Sequence, residues 1–125
     1  MKSVLLVALG GAIGSVARFK LSGWVLQQTP SWRFPAGTLA VNVIGCFIAG
    51  LLAGFAVKQD FFTPDARVFL FTGLLGGFTT FSAFGLETLQ LLKRGETGVA
   101  MANIVLSVVV GLAVAWLGYG MTARA

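Results

Sequence analysis

Three stretches of the chain run without a charged residue: Phe34 to Val57 (24 residues), Val68 to Leu86 (19) and Thr97 to Ala123 (27). A membrane-spanning helix needs roughly 20 mainly apolar residues. The middle stretch stays apolar to Leu92 past a single acid, Glu87. Ahead of all three, Ser3 to Ala17 is a run of 15 residues that meets Arg18 and Lys20 and resumes from Leu21 to Leu26. The pattern predicts an all-α membrane protein with four transmembrane helices, near residues 3–26, 36–57, 67–92 and 98–121. These form a single four-helix domain over residues 1–125. The connectors are short and hold the breakers: Gln27 to Ser31 with Pro30, Lys58 to Asp65 with Pro64, and Lys93 to Glu96 with Gly95. Lys2 followed by an apolar run looks like a signal peptide, but an uncleaved first helix is the expectation here.

Composition excludes other classes. Only 10% of residues are charged and 57% are hydrophobic, with mean hydropathy +0.91, whereas a soluble domain carries about a quarter charged residues. There is no His, the four acids Asp60, Asp65, Glu87 and Glu96 are scattered, and Cys46 is the one thiol. Neither a Cys/His zinc site nor an intrachain disulfide can be assembled, and no set of base, nucleophile and metal suits an enzyme. The net charge of +5 forms no stripe, and the cations border apolar runs, as membrane flanks do.

With four spans both termini lie on one side. That side holds Lys2, Lys58, Arg67 and Arg124, four cations against the five of Arg18, Lys20, Arg33, Lys93 and Arg94. So small a bias gives little reason to choose an orientation. The expectation is insertion both ways and pairing as an antiparallel dual-topology homodimer. Gly10 and Gly14, Gly50 and Gly54, and Gly73 and Gly77 each place two small residues on one helical face, which lets helix backbones approach in lipid.

Polar groups within the spans are costly and tend to face a path or a partner. Thr38 and Asn42 share a face of the second span, Asn103 and Ser107 a face of the fourth. Ser and Thr also satisfy their own helix backbone, and Asn can glue helices together. In the third span, Gly76-Gly77-Phe78-Thr79-Thr80 is poor helix material. Unwound backbone at membrane depth needs protein or water to satisfy it, so a break is expected near Gly76–Thr80, with freed carbonyls able to hold a cation. Beyond it, Phe81 and Phe84 share a face. Their positive ring edges, with Asn, Ser and Thr donors, suit a small anion.

The segments Gly10 to Arg18, Gly37-Thr38-Leu39-Ala40-Val41-Asn42 and Thr72 to Phe84 resemble those of the Fluc (CrcB-type) fluoride channel family of bacteria. The likeness extends over the whole chain. It implies passive export of fluoride through two pores of an antiparallel dimer in the bacterial inner membrane. It also implies a structural Na⁺ at the two-fold axis, on backbone carbonyls that fall on Gly76 and Thr79. By the same matching the pore phenylalanines fall on Phe81 and Phe84 and the pore asparagine on Asn42. Thr38, Ser82 and Ser107 fall near the path, with Thr80 just beyond the break and Arg18 as a vestibule charge. Asn103 sits where the family varies, and Ala83 stands where Thr is common. The rival is a proton-coupled small multidrug-type transporter. It needs a membrane carboxylate, and only Glu87 qualifies.

Overall fold

The computed structural model describes residues 1–32, 34–58 and 61–124. Arg33, one of the cations counted above, and Asp60 lie outside the described residues. The elements in order are α1 (Lys2–Gln28), α2 (Ala36–Ala56), α3 (Pro64–Arg67), a π-helical segment (Val68–Leu75), α4 (Gly76–Phe78), α5 (Phe81–Lys93) and α6 (Thr97–Ala123). From α3 to α5 they form one interrupted span, Pro64–Lys93, so four helices are long and apolar enough to cross a membrane.

Local chemistry sets the ends. Thr63 caps the third span, its hydroxyl accepting the Ala66 N–H at 3.1 Å, with Pro64 behind it. Proline at the first helical position has no N–H to leave unpaired, which starts this span ahead of the expected residue 67. The turn between α5 and α6 depends on Gly95, at φ 81°. Its N–H donates to Leu92 O (3.1 Å) while Glu96 N–H donates to Leu91 O (2.9 Å). That is the glycine-terminated pattern that satisfies the last carbonyls of a helix.

Two helix pairs make the bundle. In the first, α2 lies on α6. A Cβ on Gly118 would stand 2.6 Å from Phe47 O, and one on Gly54 2.7 Å from Tyr119 O; one on Gly50 would overlap the backbone of Ala115. Thr122 closes that end by donating to Leu51 O at 2.7 Å. In the second pair, α1 lies on the π-helical segment and α4. A Cβ on Gly10 would stand 2.8 Å from Leu74 N, and one on Gly77 2.5 Å from Gly11 O. The small-residue faces are therefore spent on backbone contact. By contrast α5 is loosely held, touching α6 and, less, α2.

The buried apolar set is small: Ala36, Val41, Leu75, Leu91 and Ala100. Large apolar side chains such as Trp116 (76% exposed) and Leu112 (68%) face outward. In lipid this costs nothing, because helix association there rests on close packing rather than on hiding apolar surface. At one end Lys2 pairs with Asp65 at 2.8 Å, and Arg67 donates to Ala56 O at 3.1 Å. The starts of α1 and of the third span thus meet the end of α2, gathering cations that the charge count assigned to one side.

Candidate functional site

The third span breaks at two residues. Gly76 and Gly77 stay helical, and the backbone turns extended only at Thr79 (φ −95°, ψ 153°) and Thr80 (φ −150°, ψ 122°). The break is narrower than the Gly76–Thr80 segment expected. Gly77 serves contact with α1, where a Cβ would stand 2.5 Å from Gly11 O, and the two β-branched threonines leave the helix. Thr80 then starts α5, its hydroxyl accepting the Ala83 N–H at 3.3 Å.

Three side chains hold the break, one each from α1 and α2 and one in the break itself. Asn42 on α2 accepts the Thr80 N–H through Oδ1 (3.1 Å) and donates through Nδ2 to Thr80 O (3.3 Å). Arg18 on α1 donates through Nε to Gly77 O at 3.1 Å, a cation at the carbonyl end of a helix, where the dipole favours it. Thr79 donates its own hydroxyl to Leu75 O at 2.9 Å. Because Asn42 matches a backbone donor and acceptor together, its amide orientation is fixed, leaving one N–H spare.

Asn42, Thr79, Thr80, Phe81, Phe84 and Ser107 are all brought to one cavity of about 350 Å³. The remaining wall, Gly45, Cys46, Ala49, Leu75 and Val108, adds no charge. The rings of Phe81 and Phe84 lie 5.6 Å apart, tilted by 43°, and Phe81 is 83% exposed in the single chain. Two other expected residues lie elsewhere. Arg18 and Thr38 line a second cavity of about 180 Å³, which shares Thr80 with the first. Thr38 also lines a third, of about 300 Å³, with Glu87 and Arg94. Its hydroxyl donates to Glu87 Oε1. Thr38 and Asn42 share a helix face but serve different cavities. Ser82 is exposed, against the Thr80 hydroxyl at 3.1 Å. Gly76 is exposed at the head of α4.

Sequence reasoning passed over Gly45 and Cys46, three and four residues past Asn42 and so one turn on along the same wall. It also passed over the Arg18 tether, which no local pattern announces. Asn103 proves to be buried, 2% exposed, and bonded to α5.

Residues 5–119 match the family described as CrcB-like protein, Camphor Resistance (CrcB). The chain belongs to the CrcB-like family. Among similar CrcB-like proteins, one from Methylobacillus flagellatus is 64% identical over 119 residues, covering 95% of this chain and 93% of the relative. One from Opitutus terrae is 50% identical over 121 residues, 95% of this chain and 91% of that one. One from Citrifermentans bemidjiense is 44% identical over 125 residues, 100% and 99%. All three carry the name fluoride-specific ion channel FluC. With four apolar crossings, this CrcB-like chain is a multi-pass membrane protein.

Proposed function

We propose that the chain is a fluoride-selective channel of the bacterial inner membrane, through which cytoplasmic fluoride leaves passively. The observation that carries this reading is the uncharged cavity beside a broken helix, where an amide, hydroxyls and two ring systems converge, in a chain whose relatives bear the fluoride-channel name. Fluoride is small and strongly hydrated, so a path through low dielectric must replace its water with donors. Asn42 has a spare N–H, Ser107 and Thr80 have hydroxyls, and Phe81 and Phe84 have positive ring edges. Conduction also requires that these sites release the ion, which neutral donors allow. Hydrofluoric acid is weak, so neutral HF enters and ionises in the more alkaline cytoplasm; an inside-negative potential then drives the anion out.

Two copies pair antiparallel in this reading. The near-balance of flanking cations supports it, as does the exposure of Phe81 and Gly76 at the break, open to a second copy. A structural Na⁺ fits the break in kind. Arg18, Asn42 and Thr79 take the carbonyls of Gly77, Thr80 and Leu75, and none of these tethers reaches those of Gly76 or Thr79. Such carbonyls from both copies are the hard oxygen donors an alkali ion takes at an unwound helix. The ion would supply fixed positive charge between the copies. The transporter alternative needs Glu87 in the transport cavity. Instead Glu87 lies against Thr38 in the third.

The test is fluoride efflux from liposomes holding the purified protein, read with a fluoride electrode, with valinomycin and potassium setting the voltage. Rapid fluoride loss with chloride retained is expected; no fluoride loss from folded protein would overturn the reading. In that assay Phe81→Ile and Phe84→Ile should each slow efflux roughly two- to tenfold, the scale of aromatic edge and face contacts of about 0.5–1.5 kcal/mol. Unchanged rates in both would remove the rings from the path.

A further inference from the structure

Among the described residues Asn103 is the most deeply buried of the buried polar side chains, 2% exposed against 6% for Thr122 and 8% for Thr88. Its hydrogen bonds have only one consistent direction. The Thr88 hydroxyl lies 2.7 Å from Phe84 O, and a carbonyl can only accept. The single Thr88 proton is thereby committed, so its oxygen can only accept from its other neighbour. That neighbour is Asn103 Nδ2 at 2.9 Å. The amide orientation follows, and Oδ1 must face Ser107 on the next turn. An amide oxygen accepts, so Ser107 donates to it, at 3.5 Å. The protons run one way, from Ser107 at the cavity wall through Asn103 and Thr88 to the backbone that carries Phe84.

The bonds are unequal. Those at 2.7 and 2.9 Å are at full strength, whereas 3.5 Å is the outer limit of a hydrogen bond. The strong inner bonds fix Asn103, and the weak outer bond leaves the Ser107 hydroxyl easy to turn. Without Oδ1 the obvious acceptor is the carbonyl four residues back in its own helix, where serine in a helix commonly bonds. That bond would draw the hydroxyl back into the helix.

We infer that Asn103 is a positioning residue: held by Thr88, its amide oxygen keeps the Ser107 hydroxyl in a weak, releasable bond at the cavity wall, ready to be turned to an anion. This rests on the reading of that cavity as the fluoride path. Asn103 touches no ion itself.

The experiment is a double-mutant cycle on fluoride efflux from liposomes with Asn103→Leu, Ser107→Ala and the pair, each first checked for a single folded peak by size exclusion. Asn103→Leu is expected to slow efflux roughly three- to tenfold, the scale of couplings within one hydrogen-bond network. In the Ser107→Ala background it should produce no further slowing. Full additivity would overturn the inference while leaving Ser107 on the path. Ser107→Ala efflux equal to that of the unaltered protein would overturn it by taking Ser107 off the path, with the channel reading still standing. No efflux from the unaltered protein would remove the channel reading itself and the inference with it. If Asn103→Leu does not fold, Thr88→Val takes its place. It frees the amide to rotate, and its slowing must likewise vanish with Ser107→Ala.

Discussion

Asn42→Asp should slow fluoride efflux by roughly a hundredfold or more, whereas Asn42→Leu should slow it by much less. Both changes delete the Nδ2 donation to Thr80 O, and both lose the spare N–H offered to the cavity. Loss of such a bond at a half-buried site costs about 1–3 kcal/mol. Only the aspartate adds a fixed negative charge in the cavity wall. Two like charges about 4 Å apart repel by about 4 kcal/mol at an effective dielectric of 20, and each 1.4 kcal/mol is a factor of about ten in rate. Leucine reports the loss of the whole amide, including the Oδ1 that accepts the Thr80 N–H; aspartate keeps an acceptor there and adds the repulsion, so a slower aspartate variant isolates the charge. Efflux through the aspartate variant equal to or faster than through the leucine variant would place the anion's route away from Asn42.

What Asn42 meets is only half legible in the sequence, and the reason shows where such reading stops. Uninterrupted apolar runs reveal spans, because length and hydropathy alone decide whether a helix can cross. Gly76 to Thr80 reveals a break, because glycine and β-branched threonine weaken a helix locally. What these residues meet depends on other helices. Thr38 and Asn42 were grouped by their spacing, yet one turn of α2 is enough to carry Thr38 to Glu87 while Asn42 reaches Thr80. The Arg18 bond to Gly77 spans 59 positions of sequence, and no periodicity encodes it. The π-helical turns of Val68–Leu75 were not foreseen either. Gly76 N–H donates five residues back to Phe71 O, a register that changes which residues of the third span follow one another on a face. Asn103 looked ambiguous because its spacing with Ser107 was visible, whereas Thr88, which fixes its direction, lies on another helix.

Gly14→Ala should destabilise the protein by roughly 1–3 kcal/mol, the scale of overpacking, although it replaces glycine with the best helix former at the middle of a helix. A Cβ at position 14 would stand 2.8 Å from Phe78 N and 3.1 Å from Leu74 C, and closer still to Leu74 O. All three are backbone atoms, so no side chain can swing aside. Relief requires α1 to move off the π-helical segment and α4. Arg18 lies one turn further along α1, so the same movement draws its guanidinium from Gly77 O and loosens the break that Asn42 holds from the other side. Fluoride efflux should therefore fall along with stability. Gly23→Ala is the matched control on the same helix. Nothing stands within 4 Å of its Cβ, so only helix propensity acts, worth up to about 1 kcal/mol in favour of alanine. Thermal unfolding in detergent, followed by the loss of the size-exclusion peak, should show Gly14→Ala below the unaltered protein and Gly23→Ala at or above it. Equal stability of the two variants would mean that α1 does not depend on backbone contact with the π-helical segment and α4, and that Arg18 reaches the break by some other support.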